Sequence, residues 1–430
     1  MGTTIEEIYR HFREHPTVST DTRNILPGSI FFALRGESFN GNDFARNALA
    51  AGAALCIVDD PALPGDPAFI RVENVLTTLQ ALALHHRRQF SIPVIGITGT
   101  NGKTTTKELI HRVLSKKFRT LATAGNRNNH IGVPLTLLGI TSETEIAVVE
   151  MGANHPGEID FLCRLAEPGF GLITNIGKAH LEGFGGYEGV IRTKTELYRF
   201  LAGREGTVFL HKDDATLTAH IQGLHTVTYG TPPADLTAES VNADPFVSLV
   251  LNCNGTTVPV HSKLYGRYNS DNLLAAACVG CHFGVDTGDI RSALEEYQPV
   301  NNRSQLVDTG KNRLILDAYN ANPSSMLAGI ETFLESPFPS KTLILGDMLE
   351  LGEESDREHR SILDKIETLP FKEVYLVGPA FTRLNTRREF ICFDDSSLAL
   401  MWFEHYPLRN ATILIKGSRG IRLEKIVPAL

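Results

Sequence analysis

The chain has 430 residues, of which 42% are hydrophobic and 21% charged, with a formal net charge of −8. At roughly 100–200 residues per domain, this length predicts two to four globular domains. The acidic balance disfavours nucleic acid as a partner, because a phosphate backbone demands a concentrated Lys/Arg surface; a local basic pocket for a small phosphorylated ligand stays open.

Glu6, Glu7, Arg10, Arg13 and Glu14 would interrupt any apolar export-signal core, and no apolar run approaches the roughly 18 residues of a membrane span. The sequence therefore predicts a cytoplasmic protein. Six scattered cysteines predict free thiols in a reducing compartment. Cys278 and Cys281 form a C-x-x-C, but they sit in an alanine-rich stretch at 273–281 that reads as a buried helix, and zinc would need two further ligands. Small core residues are the simpler reading.

Residues 1–90 open with a short amphipathic helix. A turn at Pro27-Gly28, a strand at 29–34, a helix at 43–51 and a strand at 54–58 follow, with a proline-rich surface loop at 61–67. This is a small N-terminal α/β domain. A second domain, 91–302, begins with a strand at 93–98, a glycine-rich loop and a helix whose Leu109, Ile110, Val113, Leu114 and Phe118 mark one buried face. Strands at 145–151, 171–176 and 207–210 alternate with helical patterns and predict a largely parallel sheet of the phosphate-loop type. Residues 225–265, rich in Thr and Val and with a turn at Asn254-Gly255, suggest a small antiparallel addition. A third domain, 303–430, carries strands at 313–316, 342–345, 374–377 and 412–415 between helical stretches, which reads as a C-terminal Rossmann-like domain.

The strongest local signal is Gly99-Thr100-Asn101-Gly102-Lys103-Thr104-Thr105. Glycines allow a tight turn and close approach of backbone to phosphate, and N–H groups at the start of the next helix face the anion. Lys103 would reach the β- and γ-phosphates and Thr104 would offer its hydroxyl to Mg²⁺. The strict Walker pattern fails at one position, Ile97. Glu150 ends a predicted strand, where a carboxylate either holds a metal or simply caps the strand in solvent. His180 follows the next strand and is either a ligand or structural. Lys194, in a helical stretch at 191–200, reads by composition as an ordinary surface lysine.

These motifs, in this order, resemble the Mur ligase family of peptidoglycan precursor synthesis over essentially the whole chain. The phosphate loop, Val149-Glu150-Met151-Gly152-Ala153-Asn154 and the segment 175–182 resemble the family broadly. Asn126-Arg127-Asn128-Asn129-His130-Ile131-Gly132-Val133-Pro134, Asp317-Ala318-Tyr319-Asn320-Ala321-Asn322-Pro323 and Leu345-Gly346-Asp347-Met348-Leu349-Glu350-Leu351-Gly352 resemble its dipeptide-adding branch.

The resemblance implies a three-domain α/β ligase. It would use ATP and Mg²⁺, with two ions, to add D-alanyl-D-alanine to UDP-N-acetylmuramoyl-tripeptide through an acyl phosphate, as a monomer. By the same resemblance Gly99 to Thr105 bind ATP, Asn272 contacts adenine, Arg303 the γ-phosphate and Asp317 the ribose. Thr104, Glu150, His180 and a carbamylated Lys194 hold metal, and the catalytic set is Lys103, His180, Lys194 and Arg303. Asp21, Thr22, Arg23 and Gly36 match the uridine-diphosphate end, Asn128 and Asn129 the muramoyl side, and Asn320 and Asn322 the dipeptide. Lys416-Gly417-Ser418-Arg419 matches a family motif without an assigned role. The sequence departs from many relatives in having Asn40-Gly41-Asn42 where they carry an Asp-Gly-His type of stretch. The competing readings are a sibling or folate-type ligase, a P-loop ATPase or kinase without ligation, and a non-catalytic nucleotide binder.

Overall fold

The computed structural model describes residues 3–253, 255–300 and 302–430, with backbone only at 240 and 241. Three sheets organise the chain. The first is parallel throughout, with Val18–Ser19, Ile30–Phe32, Leu55–Val58 and Phe69–Arg71 in sequence order. The expected helix at 43–51 is shorter, Ala45–Ala50, and enters through a 3₁₀ turn at Gly41–Phe44. A helix at Val75–Arg87 was not assigned from the sequence. Its signal was present: Asn74 caps it by accepting from Thr77 N–H, and Val75, Leu79, Leu82, Ala83 and His86 share one buried face.

The second sheet has nine strands. Val94–Thr98 lies between Ile146–Glu150 and Phe170–Ile173, all parallel. Successive connections therefore leave Val94–Thr98 toward opposite sides, which opens a crevice at its C-terminal end, the usual ligand position in such sheets. Residues 236–265 form the expected antiparallel addition, as an extension of this sheet, whereas 225–230 is parallel. His225–Gly230 pairs parallel with Thr207–His211, and the hairpin strands Leu236–Ala243, Phe246–Cys253 and Thr256–Tyr265 then extend the same sheet, antiparallel to one another. The continuous apolar burial of Val247, Leu249, Leu251 and Val260 against the helix Ser270–His282 explains the fusion. Asn254 of the expected turn lies outside the described residues, whereas Gly255 has φ +79° as a turn requires.

The cysteine expectation needs correction. Cys253 and Cys281 are joined as a disulfide, because the end of Phe246–Cys253 and the end of Ser270–His282 meet with Cα atoms 6.5 Å apart. A sequence separation of 28 gives no hint of that meeting. Cys278 stays a buried thiol whose pKa burial pushes up to about 12.

The third sheet has six strands, parallel except for the edge strand Gln305–Asp308. Its helices pack on both faces, as the apolar strands Arg313–Asp317, Lys341–Gly346, Glu373–Val377 and Thr412–Lys416 require. Among the described residues no helix is long and apolar enough to cross a membrane.

Candidate active site

The crevice at the end of Val94–Thr98 becomes a cavity of about 690 Å³ that the C-terminal sheet closes from above. The phosphate loop forms its floor. Gly99 has φ +141°, and a Cβ there would lie 2.0 Å from the Thr174 hydroxyl; Gly102 has φ +80°, and a Cβ would lie 2.6 Å from Asn272 Oδ1. Only glycine fits either position. The strand expected at 171–176 ends at Ile173 because the next residues brace this loop. Thr174 Oγ1 donates to Asn101 O at 2.6 Å, and Asn175 Oδ1 accepts from Asn101 N–H at 3.0 Å. The Thr100 hydroxyl exchanges bonds with Gly177.

Lys103 begins the helix Lys103–Leu114 rather than standing free on a loop. Its ammonium donates to Gly99 O and Thr100 O at 2.8 and 3.0 Å. Burial, opposed by Glu150 and reinforced by the charge of Arg303, lowers its pKa to about 8. Two cations facing one enclosed floor call for a polyanion.

Glu150, 1% exposed, ends its strand beside this floor. Its Oε1 accepts from Thr104 Oγ1 at 3.1 Å and from Asn128 Nδ2 at 2.8 Å. Its Oε2 is enclosed with no hydrogen-bond donor, and the Lys107 ammonium stands 3.8 Å away. An unsatisfied carboxylate oxygen beside a threonine hydroxyl and a phosphate loop fits Mg²⁺, which takes one or two protein oxygens and fills its shell with phosphate and water. The reading of Glu150 as a solvated cap is excluded by its burial.

Lys194 overturns the surface-lysine reading. It is 2% exposed at the end of the helix Tyr187–Lys194. Its Nζ lies 3.5 Å from Ala153 O and 5.3 Å from the Phe184 ring centroid. Burial and the charge of Lys103 hold its pKa well below the ordinary lysine value, against the pull of Glu158 and Glu196. The local sequence cannot reveal this, because the helix Glu158–Ala166 and the segment around Ala153 that cover it come from far along the chain.

The C-terminal sheet supplies the roof. Asp317 accepts from Ser304 N–H at 3.2 Å and pairs with the buried Lys416. Arg303 stacks on Tyr319, 3.6 Å from the ring centroid. Asn322 caps the helix Pro323–Glu335 and donates from Nδ2 to Asn101 Oδ1 at 2.8 Å, joining roof to floor. His180, at φ +50°, pairs through Nδ1 with Glu350 at 2.5 Å, and Lys178 pairs with Glu358 at 2.9 Å. Asn129 is half committed: its Oδ1 accepts from Ile131 and Gly132 N–H groups.

The cavity thus gathers Thr100 to Thr105, Asn128, Asn129, Glu150, His180, Asn272, Arg303, Asp317, Asn320 and Asn322. Gly99 lies under the loop and Lys194 behind the wall. Asp21, Thr22, Arg23 and Gly36 are not among the lining residues and sit in the connections of the first sheet, the first three at a 3₁₀ turn before Ile30–Phe32 and Gly36 after it. There Arg23 and Asp21 pair at 2.7 Å, and Gly36 packs under Phe39. The departing Asn42 is buried and exchanges hydrogen bonds with Asp59, which makes it a strut of that domain. Asn175 and Lys107 were missed in the sequence; only their spacing from the phosphate loop and the next strand pointed to them.

The Mur ligase family catalytic domain matches residues 16–87, the Mur ligase middle domain 97–280, and the Mur ligase glutamate ligase domain 302–419. The chain is 36% identical over 425 residues to UDP-N-acetylmuramoyl-tripeptide–D-alanyl-D-alanine ligase of Bacillus subtilis, covering 96% of this chain and 92% of that one. The crystal structure of MurF from Acinetobacter baumannii matches with a TM-score of 0.87 at 30% identity, covering 100% and 98% of the two chains. MurF of Thermotoga maritima, solved in complex with ADP, matches with a TM-score of 0.83 at 27% identity over 96% of each chain. With relatives this similar along almost its entire length, and a cavity built on the same phosphate loop that the sequence announced, the chain belongs to the Mur ligase family.

Proposed function

We propose that this ATP-dependent ligase joins D-alanyl-D-alanine to UDP-N-acetylmuramoyl-tripeptide, giving the UDP-muramoyl-pentapeptide precursor of peptidoglycan. The observation that carries this reading is one cavity lined by the phosphate loop, by Asn128 and Asn129 on one side and by Asn320 and Asn322 on the other. The substrates are those named for the relative of 36% identity.

A carboxylate does not condense with an amine in water, because its leaving group is oxide. Transfer of the ATP γ-phosphoryl to the tripeptide carboxylate gives an acyl phosphate and ADP. The amine of the dipeptide then attacks the acyl carbon, the C–N bond forms as the C–O bond to phosphate breaks, and the amine loses a proton. Little covalent work falls to the protein, so positioning and charge neutralisation dominate. Lys103 and Arg303 face the phosphates, and the loop N–H groups from Gly99 to Thr105 cradle them. Asn272, enclosed against Thr106 and Asn269, suits an adenine contact, and Asp317 a ribose contact. Asp21, Thr22, Arg23 and Gly36 take the uridine-diphosphate end, Asn128 and Asn129 the muramoyl side, and Asn320 and Asn322 the dipeptide.

Thr104, Glu150, His180 and a modified Lys194 would hold two Mg²⁺ ions, which when bound neutralise the transferred phosphoryl charge. Lys194 is suited to carbamylation by its burial. CO₂ adds only to a neutral amine, with loss of one proton, and a dry pocket favours that neutral form. The carbamate would present oxygens, which Mg²⁺ prefers, where an ammonium presents none.

The same reading assigns residues 1–90 to the nucleotide-sugar end, 91–302 to ATP and 303–430 to a C-terminal Rossmann-like domain that adds Arg303 and Asp317 to the ATP contacts and Asn320 and Asn322 to the dipeptide, in a cytoplasmic monomer. A phosphate-release assay decides against a sibling ligase or an uncoupled ATPase. Release should require both the nucleotide tripeptide and D-alanyl-D-alanine, with single amino acids inert. Equal release without either substrate would refute the proposal.

A further inference from the structure

Lys107 has no part in the scheme above. It follows Lys103 by four residues and so lies one turn further along the same face of the helix Lys103–Leu114. It does not line the cavity but stands behind its wall, 2% exposed. An ammonium so enclosed costs desolvation that only fixed acceptors offset.

Those acceptors come from two places. The Lys107 ammonium donates to Thr123 O at 2.8 Å and to Gly125 O at 2.9 Å, in the turn that follows the strand Thr120–Ala122. Its third N–H is left for a carboxylate. Glu150 Oε2 and Glu108 Oε1 each lie 3.8 Å away. Glu108 is partly open to solvent, and its other oxygen accepts from the Tyr297 hydroxyl at 2.7 Å. Glu150 is 1% exposed, and among the described residues nothing donates to its Oε2. At 3.8 Å the bond is one of charge, and it counts for more at the drier of the two carboxylates. The same turn leads on to the muramoyl side. Glu150 N–H donates to Thr123 Oγ1 at 3.0 Å, Glu150 Oε1 accepts from Asn128 Nδ2 at 2.8 Å, and Asn128 O accepts from Gly152 N–H at 2.7 Å. The phosphate-loop helix, the strand end with Glu150 and the segment 123–129 therefore converge on one buried ammonium.

We propose that Lys107 is a positioning residue with two tasks: it balances the charge of Glu150 while no metal is bound there, and it anchors the segment 123–129 that presents Asn128 and Asn129 to the nucleotide tripeptide. The first task rests on the reading of Glu150 as a metal ligand, the second on the D-alanyl-D-alanine ligase reading. The first has a consequence that packing alone would not produce. A cation beside Glu150 opposes Mg²⁺ at that carboxylate, so Lys107 weakens metal binding by the same charge that keeps the metal-free site together.

The test is a cycle of wild type, Lys107→Met, Glu150→Gln and the double variant, read by thermal melts in chelator and in excess Mg²⁺. Lys107→Met should lower the metal-free melting temperature by roughly 5–10 °C, the scale of one buried charge left unpaired. Mg²⁺ should raise its melting temperature more than it raises that of the wild type. The double variant, in which both charges are gone, should recover much of the metal-free loss. In phosphate-release kinetics, Lys107→Met should saturate at several-fold lower Mg²⁺. Its KM for the nucleotide tripeptide should rise about tenfold, the scale of one hydrogen bond from a charged group, with the KM for the dipeptide unchanged. A double variant no more stable than Lys107→Met, or one that fails to fold, overturns the balance with Glu150; so does a raised Mg²⁺ requirement. A KM for the nucleotide tripeptide that does not move overturns the anchor. Wild-type enzyme that releases no phosphate with both substrates overturns the ligase reading instead, and the metal-free melts still decide on Lys107.

Discussion

The floor and the roof of the cavity are built by different means. The floor is one strand, one loop and one helix: Val94–Thr98, the glycine loop and Lys103–Leu114 follow each other directly, and every bond from Lys103 to the loop spans four residues or fewer. The roof is assembled from loops of another sheet. It meets the floor through a few long-range contacts: Asn322 to Asn101, His180 to Glu350 and Lys178 to Glu358. The loop that cradles phosphate therefore forms with the central sheet, whereas Arg303, Asp317 and the amine site join it only when the two sheets are docked. This suits a two-step reaction in which docking of the two sheets brings Arg303 to the phosphates and the amine site to the activated carboxylate.

The largest expected effect tests the floor. Lys103→Ala should lower kcat/KM by about 10²- to 10³-fold, the loss typical of one preorganised charge donor. The melting temperature should hold, because the ammonium bonds only to its own loop. Next comes Lys194→Ala, which should lose activity comparably and regain part of it with added short carboxylic acids that fill the gap. Mass spectrometry of the active, metal-loaded wild type should show one CO₂ on Lys194, and an unmodified lysine there would remove the carbamate from the scheme. Asn322→Ala tests the joint between roof and floor. Loss of one neutral hydrogen bond should cost up to about tenfold in kcat/KM, with ADP binding to the floor unchanged; a matching loss of ADP affinity would mean that floor and roof are one unit.

The smallest effect lies at the seam between the first and second sheets. His86, in Val75–Arg87, accepts from the Tyr9 hydroxyl at 3.2 Å and donates to Ile140 O at 2.8 Å. Burial, partly offset by the Ile140 carbonyl, holds its folded pKa below the ordinary 6.5. The unfolded chain thus takes up a proton first as pH falls. The stability from neutral His86 is complete above pH 6.5 and is lost as pH drops below that value toward the folded pKa. Thermal melts between neutral and mildly acidic pH should fall in the wild type and flatten in His86→Phe.

The same division explains what could be read from the sequence. Gly99 to Thr105 were legible because the chemistry there is local, and the strand before and the helix after follow from apolar spacing. Glu150 could be placed at a strand end, but not told from a solvated cap until the sheet buried it. Lys194 was illegible by composition, since a lysine in a plain helix declares nothing about the distant segments that cover it. The antiparallel strands within 236–265 were legible, but the Cys253–Cys281 bond and the sheet that those strands extend were not, because both depend on partners remote in sequence.

The most direct test of activation as a step separate from ligation is to trap its product. With ATP, Mg²⁺ and the nucleotide tripeptide but no dipeptide, hydroxylamine should convert the enzyme-bound acyl phosphate to the tripeptide hydroxamate, with one ADP formed per hydroxamate. Lys103→Ala should form none, whereas Asn322→Ala should still form it. Hydroxamate that appears only when D-alanyl-D-alanine is also present would contradict activation as a separate first step.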